Sequence, residues 1–415
     1  MITRREFALL TAGLAAPGRL LAGSKRRSSG ASDRKFLFLF NDGGWDTGYA
    51  FTDFSTVIDA GLEDGAEGAS VGDIRFVDHP DRPSVRNFFE NYGSRTALIN
   101  GIEVRSVTHE RCRQLMLTGQ GSLDDDWSVL LAGRSTQSLL LPHVVIDGPA
   151  FSSRFTSDVI RVGDASQLPS LLSGQALSDS DRFIEPLPGN IERLADSFVA
   201  QRAAGRSDAF GQSYVEALDR IEDMKAWSDL DLSLSFPGCE RDLIADAGLA
   251  FSLFEAGITR TAMLRYKGWC SEGWDTHQGL DLQGRNFGDL FTYLTGIMED
   301  LGSRTSHTGA PLSEEVTIVV FSEMGREPRL NSWGGRDHWT FTSAMLLGSG
   351  IRGGQTIGAL DAYGQGQPID LATGSIRQDG TALLPEHLGA TLLTLGDVDP
   401  AEFLESPGPI DAVMA

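Results

Sequence analysis

FLFLFNDGGWDT, residues 36–47, opens with five apolar residues in a row and ends in a polar, glycine-rich turn. Phe36–Phe40 has strand length and no polar face, which suits a strand buried on both sides of a parallel sheet. Gly43 and Gly44 then allow a sharp turn that brings the Asp42 carboxylate close to an ion. The other reading of Asp42 is an Asx-turn. Asp46 either joins such a site or caps the residues from Thr47 onward.

Working outward, the same kind of run recurs at Thr96–Asn100, His143–Ile146, Thr261–Tyr266, Val316–Phe321 and Ser343–Leu347. All read as buried parallel strands. Helical periodicity lies between them, over Pro83–Asn91, Glu110–Leu117, Arg241–Ala256 and Asn286–Leu301. This alternation predicts an α/β fold, doubly wound, with a mostly parallel sheet and helices on both faces. Residues 150–235 are rich in Ser, Asp, Gly and Arg and read as an inserted helical cap. Residues 355–380 read as a surface loop or hairpin. The prediction is therefore one α/β domain over 31–415 with a cap at about 150–235.

Four further segments resemble the first turn chemically: Thr108-His109-Glu110, Asp275-Thr276-His277, Ser322-Glu323-Met324-Gly325-Arg326 and Arg336-Asp337-His338. Of only seven histidines, three fall here. Most of these segments follow predicted strands, and ligands of open parallel sheets bind beyond strand C-termini. Carboxylate oxygen mixed with imidazole nitrogen suits one or two divalent ions, Zn or Mn first, with Mg or Ca as alternatives. The expected metal residues are Asp42, Asp46, His109, Asp275, His277, Glu323, Asp337 and His338. Asp337 is either a ligand or a support for His338, and Glu323 could instead pair with Arg326 or Arg336. Thr108 reads as a helix N-cap and as a nucleophile, two compatible roles. Arg326 and Arg336 are expected to hold an anionic substrate by fork geometry.

The net charge of -22 argues against nucleic acid and anionic membranes as partners. A small anionic ester needs bound metal to reverse the local field. Thr3-Arg4-Arg5-Glu6-Phe7 before the short apolar run Ala8–Ala16 matches a twin-arginine export signal over residues 1–30. That run is too short to span a bilayer. The expected location is periplasmic or secreted, with the Tat translocase as a transient partner. Cys112, Cys239 and Cys270 form no CxxC, so a thiolate metal site is not expected; one disulfide with an odd thiol left over is allowed.

FLFLFNDGGWDT, FEAGITRTAMLRYKGWCSEGWDTHQ and VVFSEMGREPRLNSWGGRDHWTFTSAMLLGSGIRGGQTIGALD resemble the Tat-exported bacterial family called domain of unknown function 1501. That family is similar to the alkaline phosphatase-like superfamily of phosphatases and sulfatases, with metals at the strand ends. The resemblance implies a metal-dependent hydrolase of phosphate or sulfate esters. It makes Asp42 the first-strand metal aspartate, Thr108 the nucleophile position, Asp275 and His277 the acid–histidine pair, and His338 the late histidine. Glu323 stands where phosphatases have an aspartate followed by histidine. Met324 departs from that pattern by replacing the histidine. The alternative is a non-catalytic envelope protein that keeps the fold for metal binding or surface assembly.

Overall fold

The computed structural model describes residues 34–121, 124–137, 139–162, 242–405 and 407–415, with isolated helical positions within 190–202. The export signal and most of the expected cap lie outside the described residues. The elements below belong to one compact unit spanning 28–161 and 235–415; a second unit takes 162–234 with 1–27. Residues 159–161, placed in the cap by the sequence reading, form a strand of the main sheet.

The strands are β1 (Lys35–Asn41), β2 (Glu67–Val71), β3 (Ile74–Asp78), β4 (Thr96–Glu103), β5 (His143–Val145), β6 (Val159–Arg161), β7 (Thr261–Tyr266), β8 (Val316–Ser322), β9 (Gly325–Arg326), β10 (His338–Trp339), β11 (Phe341–Gly348) and β12 (Gln355–Ile357). Eight form one sheet in the order β12-β4-β11-β8-β1-β7-β5-β6. The described helices of four or more residues are α1 (Pro83–Tyr92), α2 (His109–Thr118), α3 (Trp127–Gly133), α4 (Leu243–Glu255), α5 (Asp281–Ser303) and α6 (Pro385–Leu395).

β1 sits inside the sheet and shows why its run has no polar residue. Phe36, Phe38 and Phe40 join a core with Leu115 and Met116 of α2, Trp127 of α3 and Leu388 and Leu392 of α6. Leu37 and Leu39 alternate to the other side and are equally buried. α6 packs on α2 and α3, while α1 and α4 pack on α5. Every residue that the helical period of 286–301 places inward on α5, from Phe287 to Leu301, is buried.

One strand departs from expectation. β11 runs antiparallel to both neighbours, β4 and β8. A parallel partner for β8 would require a crossover to the far end of the sheet. Instead, residues 323–340 stay at one edge, where β9 and β10 form a hairpin with His338 opposite Arg326. An apolar run looks the same in either direction, so side-chain pattern carries no information on this point. The reversal has a consequence: the segment before β11 arrives at the edge where β1, β4, β7 and β8 end. The 355–380 stretch also gives β12, an edge strand parallel to β4.

Candidate metal centre

Strand register fixes the floor of the centre. Asn41 pairs with Tyr266 on one side and Ser322 on the other, so Asp42 and Glu323 emerge side by side. Gly43 has φ +124 and lies so near the next loop that a Cβ would meet Asp275 N at 2.9 Å. Its N–H donates to both Glu323 oxygens, at 3.0 and 3.2 Å. Below, Trp45, Trp274 and Phe287 form a buried aromatic cluster. Gln283 of α5 ties the two loops together: it accepts from Asp46 N and donates to Trp274 O and Thr276 Oγ1.

Above this floor, four side chains converge. Single ligand atoms of His109, Asp275 and His338 all lie within 4.8 Å of one another. His277 Nε2 adds itself at 3.0 Å from His338 Nε2 and 3.1 Å from Asp275 Oδ1. His338 Nε2 is also 3.1 Å from Asp275 Oδ1. His109 Nε2 is buried, lies 3.3 Å from Asp275 Oδ2 and makes no hydrogen bond among the described residues.

The opposite nitrogen of each ring decides what the centre can hold. His338 Nδ1 is 2.7 Å from the Val107 carbonyl, which only accepts. His277 Nδ1 faces Asp337 Oδ1 at 3.1 Å, and His109 Nδ1 faces Glu323 Oε1 at 2.8 Å. With each carboxylate ionised, all three Nδ1 atoms carry the proton, and in neutral rings all three Nε2 lone pairs point inward. Three lone pairs beside a carboxylate repel one another. Protonating all three would crowd three imidazolium charges together. One divalent cation satisfies the arrangement, and carbonyl or carboxylate support behind each imidazole is what metal-binding histidines have. The residues present therefore fit a metal ion, with His109, Asp275, His277 and His338 as holders.

Charge agrees with that reading. Burial works to raise the Asp275 carboxyl, but Arg326 and the histidines outweigh it and hold it far below the usual carboxylate range. The hydrogen bond to Glu323 leads in raising His109, which marks a site that favours positive charge. Asp337 is lowered by its bonds to Asn331 and His277.

The remaining expected residues stand elsewhere. Asp42 is not among the converging ligand atoms: Oδ1 accepts from Arg113 Nη2 at 2.6 Å and Oδ2 from Arg265 Nη1 at 3.1 Å. Asp46 is buried, caps the turn Thr47–Tyr49 and binds Arg336 Nη1 with both oxygens, at 2.8 and 2.7 Å. Arg336 is buried too, bonded to Gly61 O and set against the Phe54 and Tyr49 rings. Arg326 donates to Gly43 O, Gly44 O, Trp274 O and Asp275 Oδ1. Neither arginine is open to a substrate, so their expected role as anion holders is corrected: both brace the loops. Glu323 and Asp337 support imidazoles through Nδ1 and are not among the converging atoms. Thr108 is the N-cap residue of α2, but its side chain makes no cap bond. Its hydroxyl is exposed, 3.4 Å from Ser106 Oγ. Met324 is fully buried in the core and packs against Gly44.

Sequence reasoning missed Gln283, Asn331, Arg113 and Arg265. Asn331 donates to His277 O and Asp337 Oδ1. Only Arg113 left a signal, four residues after His109 on a predicted helix and so on the same face.

Fold and site together define an α/β protein whose strand ends carry a histidine–aspartate group that could hold a metal ion. Residues 249–374 match the model of the family described as "Protein of unknown function (DUF1501)", the family that the sequence motifs resemble. No curated protein sequence matches the chain. Among solved structures, the chain is similar to Ps i-CgsB in complex with k-i-k-neocarrahexaose, at 12% identity and TM-score 0.41, covering 91% of this chain and 75% of that one. It is also similar to the PsFucS1 sulfatase from Pseudoalteromonas sp., at 10% identity and TM-score 0.38, covering 95% and 72%. A protein in the alkaline phosphatase superfamily from Vibrio parahaemolyticus matches at 9% identity and TM-score 0.38, covering 96% and 76%.

Proposed function

We propose that this protein is an exported, metal-dependent hydrolase of small phosphate or sulfate esters. The observation that carries the reading is the convergence of three Nε2 atoms on Asp275 with each Nδ1 bound from behind. Bound there, a divalent ion such as Zn or Mn supplies Lewis-acid polarisation of an ester oxygen. The chain's own part is to hold the four donors, to keep Asp275 ionised through Arg326 and to leave one side open. The Asp275 and His277 side chains are 46% and 43% exposed, which suits a site that admits a substrate. Thr108, at the start of α2 beside His109, has an exposed hydroxyl free of capping duty and is the proposed nucleophile.

One observation favours a second reading. Four side-chain donors can close a tetrahedral shell, as in structural zinc sites. Metal binding without turnover would then be the role. The test is metal analysis of protein purified without chelator, followed by a panel of nitrophenyl phosphates, phosphodiesters and sulfates. The hydrolase reading expects bound metal and turnover, both lost in Asp275→Ala and His338→Ala. Bound metal with no turnover of any ester selects the second reading.

Export is supported by chemistry as well as by Arg4-Arg5. Cys270 is disulfide-bonded, while Cys112 is free and buried. Persistent disulfides belong to oxidising compartments. Among the described residues no helix is long and apolar enough to cross a membrane. Fusing residues 1–30 to a folded reporter tests the Tat route; periplasmic delivery that survives Arg4→Lys with Arg5→Lys rejects it.

A further inference from the structure

A second cation beside the first would need donors on the β1 side of the centre. Both Asp42 oxygens are held by Arg113 and Arg265. Glu323 is held by the Gly43 N–H, Ser322 Oγ and His109. Met324 offers only a thioether inside the core. A second metal would have to displace a guanidinium from Asp42.

We infer that the centre takes one metal ion and that Arg113, clamped by Asp42, stands in for a second cation and holds the tetrahedral oxyanion of the substrate. This rests on the hydrolase reading above. The two arginines differ in a way that assigns their roles. Arg265 uses both terminal nitrogens, Nη1 on Asp42 and Nη2 on Asp147 at 2.8 Å, and is a positioning residue. Arg113 uses Nη2 alone, on Asp42. Among the described residues its Nη1 has no partner, and that alone separates the two, since the Nε of each is buried without one. Its side chain is 30% exposed, so the unused Nη1 is within reach of a small ligand, while the buried Nε is not. Arg113 follows His109 by one turn of α2, which places it on the face that carries the metal-facing imidazole. A planar guanidinium with spare donors matches phosphate and sulfate oxygens better than a point charge does. In a chain of net charge -22, a fixed cation beside the metal also offsets long-range repulsion of an anion.

The test uses the full chain loaded with zinc. Metal per chain is counted by plasma mass spectrometry, and binding of inorganic phosphate and of sulfate is measured separately by calorimetry. Wild type is expected to hold one zinc and bind at least one of the two anions. Arg113→Ala is expected to keep the zinc and bind that anion about tenfold or more weakly, the loss typical of a charge-assisted contact. Arg113→Lys keeps the charge without the fork and should fall between the two. If Arg113→Ala does not fold, Arg113→Lys carries the test: weaker anion binding at equal zinc supports the inference, and unchanged binding overturns it. Two zinc ions per wild-type chain, no anion binding by the zinc-loaded wild type, or equal anion affinity in Arg113→Ala overturns it as well. A wild-type chain that holds no metal instead overturns the hydrolase reading on which it rests.

Discussion

Two arginine–aspartate pairs lie next to each other at the sheet edge, and they behave differently. Arg336 and Asp46 are both buried and use both carboxylate oxygens on each other. Arg326 is equally buried, but its partner Asp275 is half-exposed and shares its oxygens with three histidines. Arg326 Nη1 donates to Arg336 O at 3.4 Å and so links the pairs. The first pair is closed and builds the loop that the second stands on. The second is open, because Arg326 gives Asp275 one bond, on Oδ1, where Arg336 occupies both Asp46 oxygens, and this leaves carboxylate capacity for another cation. Burial of the arginine is common to both, so what separates structure from site is the unsaturated partner.

Breaking the closed pair should give the largest effect on the fold. Asp46→Ala leaves Arg336 buried and uncompensated, and such losses cost about 3–5 kcal/mol. Denaturant titration is the measurement. Whatever fraction folds should still bind metal, because Asp46 touches none of the converging atoms. A loss under about 1 kcal/mol would mean that water reaches Arg336 and the pair is not closed.

The open pair is sensitive instead through its supports. Asp337→Asn weakens the acceptor behind His277 and should lower metal affinity about 10–100-fold, with little change in the metal-free stability. Competition with a chromophoric chelator reads this directly. Unchanged affinity would remove His277 from the holders and leave His109, Asp275 and His338.

Acid should move the two aspartates in opposite directions in the metal-free protein. Burial raises the Asp46 carboxyl against the pull of Arg336. Folding then favours its protonated form, which unlike alanine still accepts from Arg336, so its contribution to stability grows as pH falls from its folded value towards about 3.9, the unfolded value. Asp275 is depressed despite burial, chiefly by Arg326. Its contribution is present above about 3.9 and is lost as pH falls through its lower folded value. Carboxyl carbon-13 shifts followed against pH separate the two. Titration of both on the same side of the ordinary value would erase the contrast.

This contrast was only half legible in the sequence. Strand runs such as FLFLF show themselves because burial on both faces leaves no polar position, and VTIVVF does so with one polar residue, the buried Thr317. Asp275, His277 and His338 stand out because imidazole and carboxylate share short turns. His109 stands out less, since any residue can follow an N-cap. Asp46 and Asp275 have nearly the same local text, a tryptophan before and a threonine after, and nothing local tells which is closed. That depends on Arg336 and Arg326, brought in by the β9–β10 hairpin. The direction of β11 and the pairing of Asp42 with Arg113 are likewise long-range facts. A lone arginine on a helix face carries no mark of its partner.

The smallest effect on the fold belongs to Thr108, and for that reason it is the sharpest test of chemistry. Sequence alone makes it a cap whose loss costs about 0.5–2 kcal/mol. The observed side chain makes no cap bond, so Thr108→Ala should fall below that range. Metal content should also be unchanged, because His338 binds the neighbouring Val107 carbonyl and His109 binds Glu323, and neither contact uses the Thr108 hydroxyl. Any loss of turnover then reports the hydroxyl itself. If Thr108 attacks the ester, its removal should lower kcat on the order of 10³-fold or more, while stability and zinc stay level. Full activity in Thr108→Ala would transfer the attack to water, and α2 would then serve the centre only by carrying His109 and Arg113.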